Sequence, residues 1–282
     1  MMQLNTTGSM ESRKKEEAEF HSHLREEMPF QRYSSDVEER AEGDPHWSNF
    51  KYYSIETKSR AYVDRWIQSR CRGKRLLDYG CGNGEDSIFA ARHGAFVVGI
   101  DISDVSIANC KQRAQAEGVG DRTEFLVMDA ESLQFEDNSF DLAIEYGVLH
   151  HLDFPAAMSE IQRVLKPDGA AICTEALAHN PLIRAYRNRT PELRTPWEVE
   201  HILRREQILL AEKWFARVEP TFYHLATLAA VPFRKTPIFR PLLGCLELAD
   251  SLLLRIPFVQ WQAWQVVLEC SEPRKGFMTG KK

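Results

Sequence analysis

The stretch Leu76 to Asp101, LLDYGCGNGEDSIFAARHGAFVVGID, restricts the possible folds more than any other part of the chain. The apolar run Arg75-Leu76-Leu77 reads as a buried parallel strand, and it leads into glycines at alternate positions, Gly80, Gly82 and Gly84. Glycines there permit backbone angles closed to other residues, and they let a ligand lie against bare peptide N–H groups at the start of a helix. That helix is expected from about Glu85 to His93, stopped by Gly94. A second apolar strand, Phe96 to Ile100, delivers Asp101 at its carboxyl end, where open α/β sheets bind their ligands.

An acidic residue about 20 positions beyond a glycine loop is the usual partner of a ribose, because a carboxylate accepts hydrogen bonds from both hydroxyls. A dinucleotide fingerprint reads G-x-G-x-x-G, whereas here the third glycine arrives one residue early and Glu85 follows it. A carboxylate at that helix start repels a pyrophosphate and tolerates a cationic ligand. S-adenosylmethionine, with its positive sulfonium and amino group, fits better than a nicotinamide dinucleotide.

These residues resemble motifs I and II of the class I S-adenosylmethionine-dependent methyltransferases. Asp78-Tyr79-Gly80-Cys81-Gly82-Asn83-Gly84 matches the family's D-x-G-x-G-x-G, and Gly99-Ile100-Asp101 matches the acidic end of its second strand. The likeness continues through Met128-Asp129-Ala130, Phe140 to Glu145 and Leu165-Lys166-Pro167-Asp168-Gly169, covering about residues 74 to 176. Leu149-His150-His151 is similar to the small-molecule branch, which includes the type 11, ubiquinone, menaquinone and sterol methyltransferases.

The resemblance implies an α/β fold: a Rossmann-like, seven-stranded, mostly parallel sheet with helices on both faces. An N-terminal helical lid and an apolar insertion between the last two strands would complete it. The implied cofactor contacts are Asp78, Gly80, Cys81, Gly82, Asp101, Ile102, Asp129, Ala130, Glu145 and Tyr146, with Tyr53 or Tyr52 touching the methionine end. The Asp129 carboxylate would accept from the adenine amino group, and the Ala130 N–H would donate to the ring. Amine-directed base methyltransferases carry an Asn/Asp-Pro-Pro-aromatic tetrad after the fourth strand; this chain has none. His150 or His151 would serve as general base for a hydroxyl acceptor, or would pack within the loop that holds the cofactor.

A length of 282 residues permits one domain with an elaboration, or two small domains. It divides into a leader and lid at 1–45, the cofactor-binding core at 46–224, an apolar cap at 225–260, and the last strand and tail at 261–282. A net charge of −5 argues against a nucleic-acid partner, which favours a basic stripe. Six cysteines without a C-x-x-C pair read as the reduced thiols of a cytoplasmic protein. No apolar run approaches the ~18 residues of a membrane span, although peripheral contact with a membrane stays open. No metal-ligand cluster is visible in the spacing.

In chain order, a lid helix is expected from Glu11 to Glu27, with His21 and His23 as surface histidines, followed by an acidic loop at 31–45. Helices follow at Ile55 to Arg70 and from a Ser103 cap to Glu117; Asp153 caps another. Lys166 to Gly169 should turn into a fifth strand, Ala170 to Thr174, with Glu175 emerging on the substrate face. The four arginines at 184, 187, 189 and 194 line either a solvated helix face or an anionic acceptor site. Thr195 to Glu198 reads as a capping box. Strands at Ala216 to His224 and Trp261 to Glu269 flank a helix at Ile238 to Leu254. That helix would fold on its own domain, wall an apolar substrate, form a dimer surface or lie on a membrane.

The activity expected is methyl transfer from S-adenosylmethionine to a hydroxyl, carbon or amine of a small, apolar molecule. The competing readings are a nicotinamide-dependent oxidoreductase and an inactive S-adenosylmethionine-binding partner protein.

Overall fold

The computed structural model describes residues 6–27 and 51–276; the acidic loop expected at 31–45 lies outside them. Strands β1 (Arg75–Tyr79), β2 (Phe96–Asp101), β3 (Thr123–Val127), β4 (Phe140–Tyr146), β5 (Leu165–Ala176), β6 (Phe215–Tyr223) and β7 (Gln265–Pro273) form one sheet. Its order is β3-β2-β1-β4-β5-β7-β6, as the expected seven-stranded architecture requires. β1 to β5 pair in parallel, and β7 alone runs against both of its neighbours.

Side chains alternate across a strand, so consecutive apolar residues feed opposite layers. Leu76, Val97 and Leu142 pack with Val63, Trp66 and Ile67 of one helix, Thr57–Arg70, on one face of the sheet. Leu77, Val98 and Ala143 pack with Ala157, Met158 and Ile161 of another, Phe154–Val164, on the opposite face. A strand buried on both faces reads as a continuous apolar run, which is why these segments were recognisable in the sequence.

The helices begin where their caps dictate. Ser103 Oγ accepts from Ser106 N at 3.1 Å and opens the helix Asp104–Ala116. Asp153 Oδ1 accepts from Ala156 N at 2.9 Å at the head of Phe154–Val164. Asn180 does the same for Pro181–Arg189. At Thr195 only half of the expected capping box forms. Thr195 Oγ1 accepts from Glu198 N at 3.2 Å, but the Glu198 carboxylate turns away to Arg187 at 2.8 Å.

Three boundaries differ from expectation. The first helix begins at Thr6, within the stretch read as a leader. The fifth strand takes in Lys166 to Gly169 as an irregularity beside Asp141, because Lys166 Nζ is bound at 2.9 Å to Asp141 Oδ1. The last strand starts at Gln265 rather than Trp261, since Gln260–Gln262 coil into a 3-10 turn first.

In the insertion, the helix Phe239–Leu253 buries Phe239 and Leu243 against Ile55, Ala230 and Val231, while Leu248 and Leu252 stay 67% and 65% exposed. One buried carboxylate ties this helix to the chain entering it. Asp250 accepts from the backbone N–H groups of Leu225 (3.2 Å), Ala226 (2.5 Å) and Thr227 (3.3 Å), and from Thr227 Oγ1 (2.9 Å). Asp250→Ala would leave these donors without their acceptor, so a loss of about 2–3 kcal/mol in urea-denaturation stability is expected. Asp250→Asn, which keeps one carbonyl oxygen, should lose less; equal stability of Asp250→Ala and the parent chain would contradict this account.

Candidate functional site

At the carboxyl edge of the sheet lies a cavity of about 320 Å³. Its floor is the turn after β1, where Gly80, Gly82 and Gly84 take φ values of 76°, 52° and 75°, a region that favours glycine. Gly80 has a further constraint, because a Cβ there would run into the Val148 side chain. Asp101, at the end of β2, locks the turn. Its Oδ2 accepts from Gly82 N at 2.9 Å and its Oδ1 from Ser103 N at 2.9 Å. Each carboxylate oxygen has a second lone pair, enough to receive two ribose hydroxyls.

Next to it, Asp78 accepts from Ser87 Oγ at 2.6 Å and is pushed up to about 8 by burial, with the Asp86 and Asp101 carboxylates adding repulsion. Such an acidic, desolvated corner favours a cationic ligand and disfavours a pyrophosphate.

The N-terminal helix, α1 (Thr6–Glu27), closes the cavity from above. Its attachment is mostly polar. Arg13 reaches Glu131 (2.5 Å), Lys14 reaches Asp129 (2.6 Å), and Ser22 Oγ donates to Ser103 Oγ (2.9 Å). The Arg25 guanidinium lies where a Cβ on Gly82 would come within 3.3 Å of it. The expectation for His21 needs correcting: it points inward against His151, ring centroids 4.8 Å apart, whereas His23 faces solvent. Burial lowers the pKa of His21.

The rear wall is a network unseen in the sequence. Glu56 accepts from Tyr146 Oη (2.6 Å) and from Gln265 Nε2 (3.0 Å). Thr174 Oγ1 and Gln265 Oε1, on residues only 2% and 4% exposed, line the same cavity without a protein hydrogen-bond partner. Buried polar atoms left open in this way are a recognition device for a ligand's polar group.

Beyond it, His150 Nδ1 lies 2.6 Å from Glu175 Oε2, while Leu149 N donates to Glu175 Oε1 at 2.6 Å. The backbone donor favours the carboxylate form of Glu175, and in that form Nδ1 carries the shared proton and Nε2 is the basic nitrogen; with Glu175 protonated the two roles reverse. Burial pushes Glu175 up to about 7 and His150 down to about 4. Nε2 looks toward Glu198 Oε1 at 3.8 Å. Glu198 also pairs with Arg187 (2.8 Å) and Arg194 (3.5 Å), so these two arginines turn inward, while Arg184 and Arg189 are solvated.

The cavity collects Asp78, Gly80, Cys81, Gly82, Asp101, Ile102, Asp129, Ala130, Tyr146, Tyr53, His150 and His151 of the residues singled out from the sequence. Glu145 lies outside the lining. Its carboxylate accepts from Val148 N and Leu149 N and so shapes the loop, and burial beside Glu175 pushes it well above the usual carboxylate range. Glu175 likewise sits behind His150 rather than on an open substrate face. Asp129 is paired with Lys14 of the lid. The i,i+4 pair Glu17 and His21 was a visible signal on α1; nothing in the spacing pointed to Gln265 or Thr174.

Residues 77–173 match the family model described as a methyltransferase domain. That stretch holds the glycine turn, Asp101, Asp129 and both histidines. That stretch is therefore similar to a methyltransferase domain. The phthiotriol/phenolphthiotriol dimycocerosates methyltransferase of Mycobacterium leprae (strain TN) is 36% identical over 118 residues, 39% of this chain and 42% of its own length. The 27-O-demethylrifamycin SV methyltransferase of Amycolatopsis mediterranei (strain S699) is 40% identical over 99 residues, 34% of this chain and 36% of its own length. The match thus spans less than half the length of these relatives.

Phosphoethanolamine N-methyltransferase 2 of Haemonchus contortus, solved in complex with S-adenosyl-L-methionine, shares the fold at a TM-score of 0.55 and 21% identity. That likeness covers 76% of this chain and 53% of that one.

The fold should carry a specific acid sensitivity. His150 is held neutral down to about pH 4 in the folded state by burial, against an ordinary value of 6.5. A depressed histidine means that the unfolded chain binds the proton first, so stability falls as pH drops from 6.5 toward 4. Urea denaturation of His150→Gln at pH 7, 6 and 5 should show a slope shallower by up to about 1.4 kcal/mol per pH unit. An unchanged slope would show that His150 is not held neutral.

Proposed function

We propose that this protein transfers a methyl group from S-adenosylmethionine to a small, apolar molecule. The observation that carries the reading is the Asp101 carboxylate, fixed by Gly82 N–H and Ser103 N–H at the mouth of a glycine turn whose surroundings are acidic. The residues present fit that cofactor: Asp101 for the ribose hydroxyls, Asp129 and Ala130 for the base, and the Asp78 corner for the cationic amino acid end. Tyr53 and Tyr146 line the methionine side, with Cys81, Gly80 and Ile102 as walls, and Glu145 acts through the loop. A reduced, cytoplasmic setting and the division into lid, core and cap belong to the same proposal.

When bound, the cofactor supplies a methyl carbon made electrophilic by a sulfonium. The chain's own task is to hold the acceptor's nucleophile in line with it and to keep water out, which is worth roughly 7 to 11 kcal/mol of barrier. α1 closes the top of the cavity. Thr174 Oγ1 and Gln265 Oε1 offer the acceptor's polar end a seat, and Tyr52, Ile183, Leu193 and Trp264 surround its apolar part. For a hydroxyl acceptor, His150 Nε2 takes the proton, its ring held by Glu175; His151 lies against it at a centroid distance of 4.3 Å.

Relatives named for dimycocerosates and for 27-O-demethylrifamycin support an apolar, oxygen-bearing acceptor. No helix among the described residues is long and apolar enough to cross a membrane.

Asp101→Ala removes charged hydrogen bonds worth about 1.5–3 kcal/mol each, so calorimetry should show S-adenosylmethionine affinity at least tenfold weaker. Unchanged affinity would reject the ribose assignment, and tight NADH binding would favour the oxidoreductase. Incubation with methyl-labelled cofactor and cell extract should yield a labelled small product; its absence with intact cofactor binding would favour an inactive binder. His150→Ala should slow turnover by roughly 10²- to 10⁴-fold with cofactor affinity kept.

A further inference from the structure

The geometry points to a divalent metal site, formed by Glu17 and His21 of α1 with His151 of the core, that fastens the lid over the cavity. It stands apart from the methyl-transfer reading, because it rests on these three side chains and on no contact assigned to the cofactor. Glu17 Oε2 lies 3.4 Å from His21 Nε2 and 3.0 Å from His151 Nδ1, and the three ligand atoms all fall within 4.8 Å of one another.

The two distances from Glu17 Oε2 are close to the spacings a metal would impose, and the two imidazole nitrogens lie within 4.8 Å of each other. With metal–ligand bonds of about 2.1 Å, neighbouring ligands sit ~3.4 Å apart in a tetrahedron and ~3.0 Å apart in an octahedron. Pairing of the Glu17 carboxylate with the two imidazoles accounts for part of the cluster. Glu17 Oε2 and His151 Nδ1 are both buried, and despite their separation neither has a hydrogen-bond partner in suitable alignment. A buried carboxylate oxygen left so, on a residue 5% exposed, calls for a third party toward which both lone pairs can turn.

The supporting shell is in place. Thr195 Oγ1 donates to the other oxygen of Glu17 at 2.5 Å, leaving Oε2 to face the histidines. The His150 ring packs on His151, and the second cluster, His150–His151–Glu198, lies alongside. Arg187 and Arg194 are engaged by Glu198, so the carboxylate of Glu17 is not spent on them.

Two imidazoles and one carboxylate, with no thiolate, form a donor set suited to Zn²⁺, Co²⁺, Ni²⁺ or Fe²⁺ rather than to Ca²⁺ or Mg²⁺. Three protein ligands leave a position for water or for an oxygen of the acceptor. Since Glu17 and His21 ride on α1, one ion would join lid to core through bonds stronger than the ion pairs that otherwise hold it.

The test uses the full chain, stripped with a chelator and free of cofactor, titrated with ZnCl₂ by calorimetry and with CoCl₂ by visible absorption. One ion per chain is expected, with the d–d bands of a low-coordinate Co²⁺ site. His21→Ala and Glu17→Gln should each weaken binding by more than the roughly 10- to 100-fold that loss of an outer-shell partner costs. His23→Ala, on the outer side of the same helix, should bind as the parent does. Zn²⁺ should also slow amide hydrogen exchange across residues 11–26 in the parent and not in His21→Ala.

Circular dichroism establishes that each variant is folded. No saturable ion, or equal affinity in the parent and both variants, would overturn the site. Binding without slower exchange would overturn its role as a fastener. Because cofactor affinity is measured separately, either failure leaves the methyl-transfer reading standing, and the reverse holds too.

Discussion

The Asp101 carboxylate's grip on the backbone N–H of Gly82 is the contact on which the rest depends. It joins the carboxyl ends of β1 and β2 and holds the glycine turn open as a surface of bare peptide. The neighbouring helix, Glu85–Arg92, can begin only because Gly84 takes a left-handed conformation at its N-cap. Close packing beneath demands glycine again: a Cβ on Gly99 would collide with Phe125 of β3. The turn, the two strands and the third strand are thus adjusted to one another. A change at any of them alters the space available to a nucleoside.

Much of this was legible because it is local. A buried strand, a glycine turn, a helix and an acidic strand end lie within 26 consecutive residues, and each leaves a distinct mark in composition. Caps such as Ser103 and Asp153 were equally readable, since the capped N–H lies three residues away. The site's rear wall was not. Glu56, Tyr146 and Gln265 meet across separations of 90 and 209 residues, and no periodicity encodes such a meeting. The last strand starts later than Trp261 for a related reason: apolar residues there serve a turn that packs on Phe222.

The arginines show how a correct residue type can carry the wrong partner. Arg187 and Arg194 face inward as an anion site would require, yet Glu198 already supplies the anion. Glu198 could do so only by giving up its expected place in the capping box at Thr195. One side chain left its local, sequence-encoded role for a longer-range one, and the helix Pro196–His201 keeps the cap from Thr195 alone. Local rules yield where a buried charge needs neutralising, because an unpaired buried charge costs far more than half a cap.

The lid follows from the same balance. α1 inserts few apolar side chains and rests on carboxylates: Glu131 takes Arg13 and Lys14, and Asp129 takes Lys14 as well. An interface built from ion pairs is weak per contact when it is wetted and much stronger when water is excluded, so its strength depends on what fills the space beneath it. Asp129 and Glu131 share one cation of the lid: Lys14 Nζ lies 2.6 Å from Asp129 Oδ2 and 3.0 Å from Glu131 Oε2. The lid is therefore tied to the strand end that carries Asp129 by charge rather than by apolar packing.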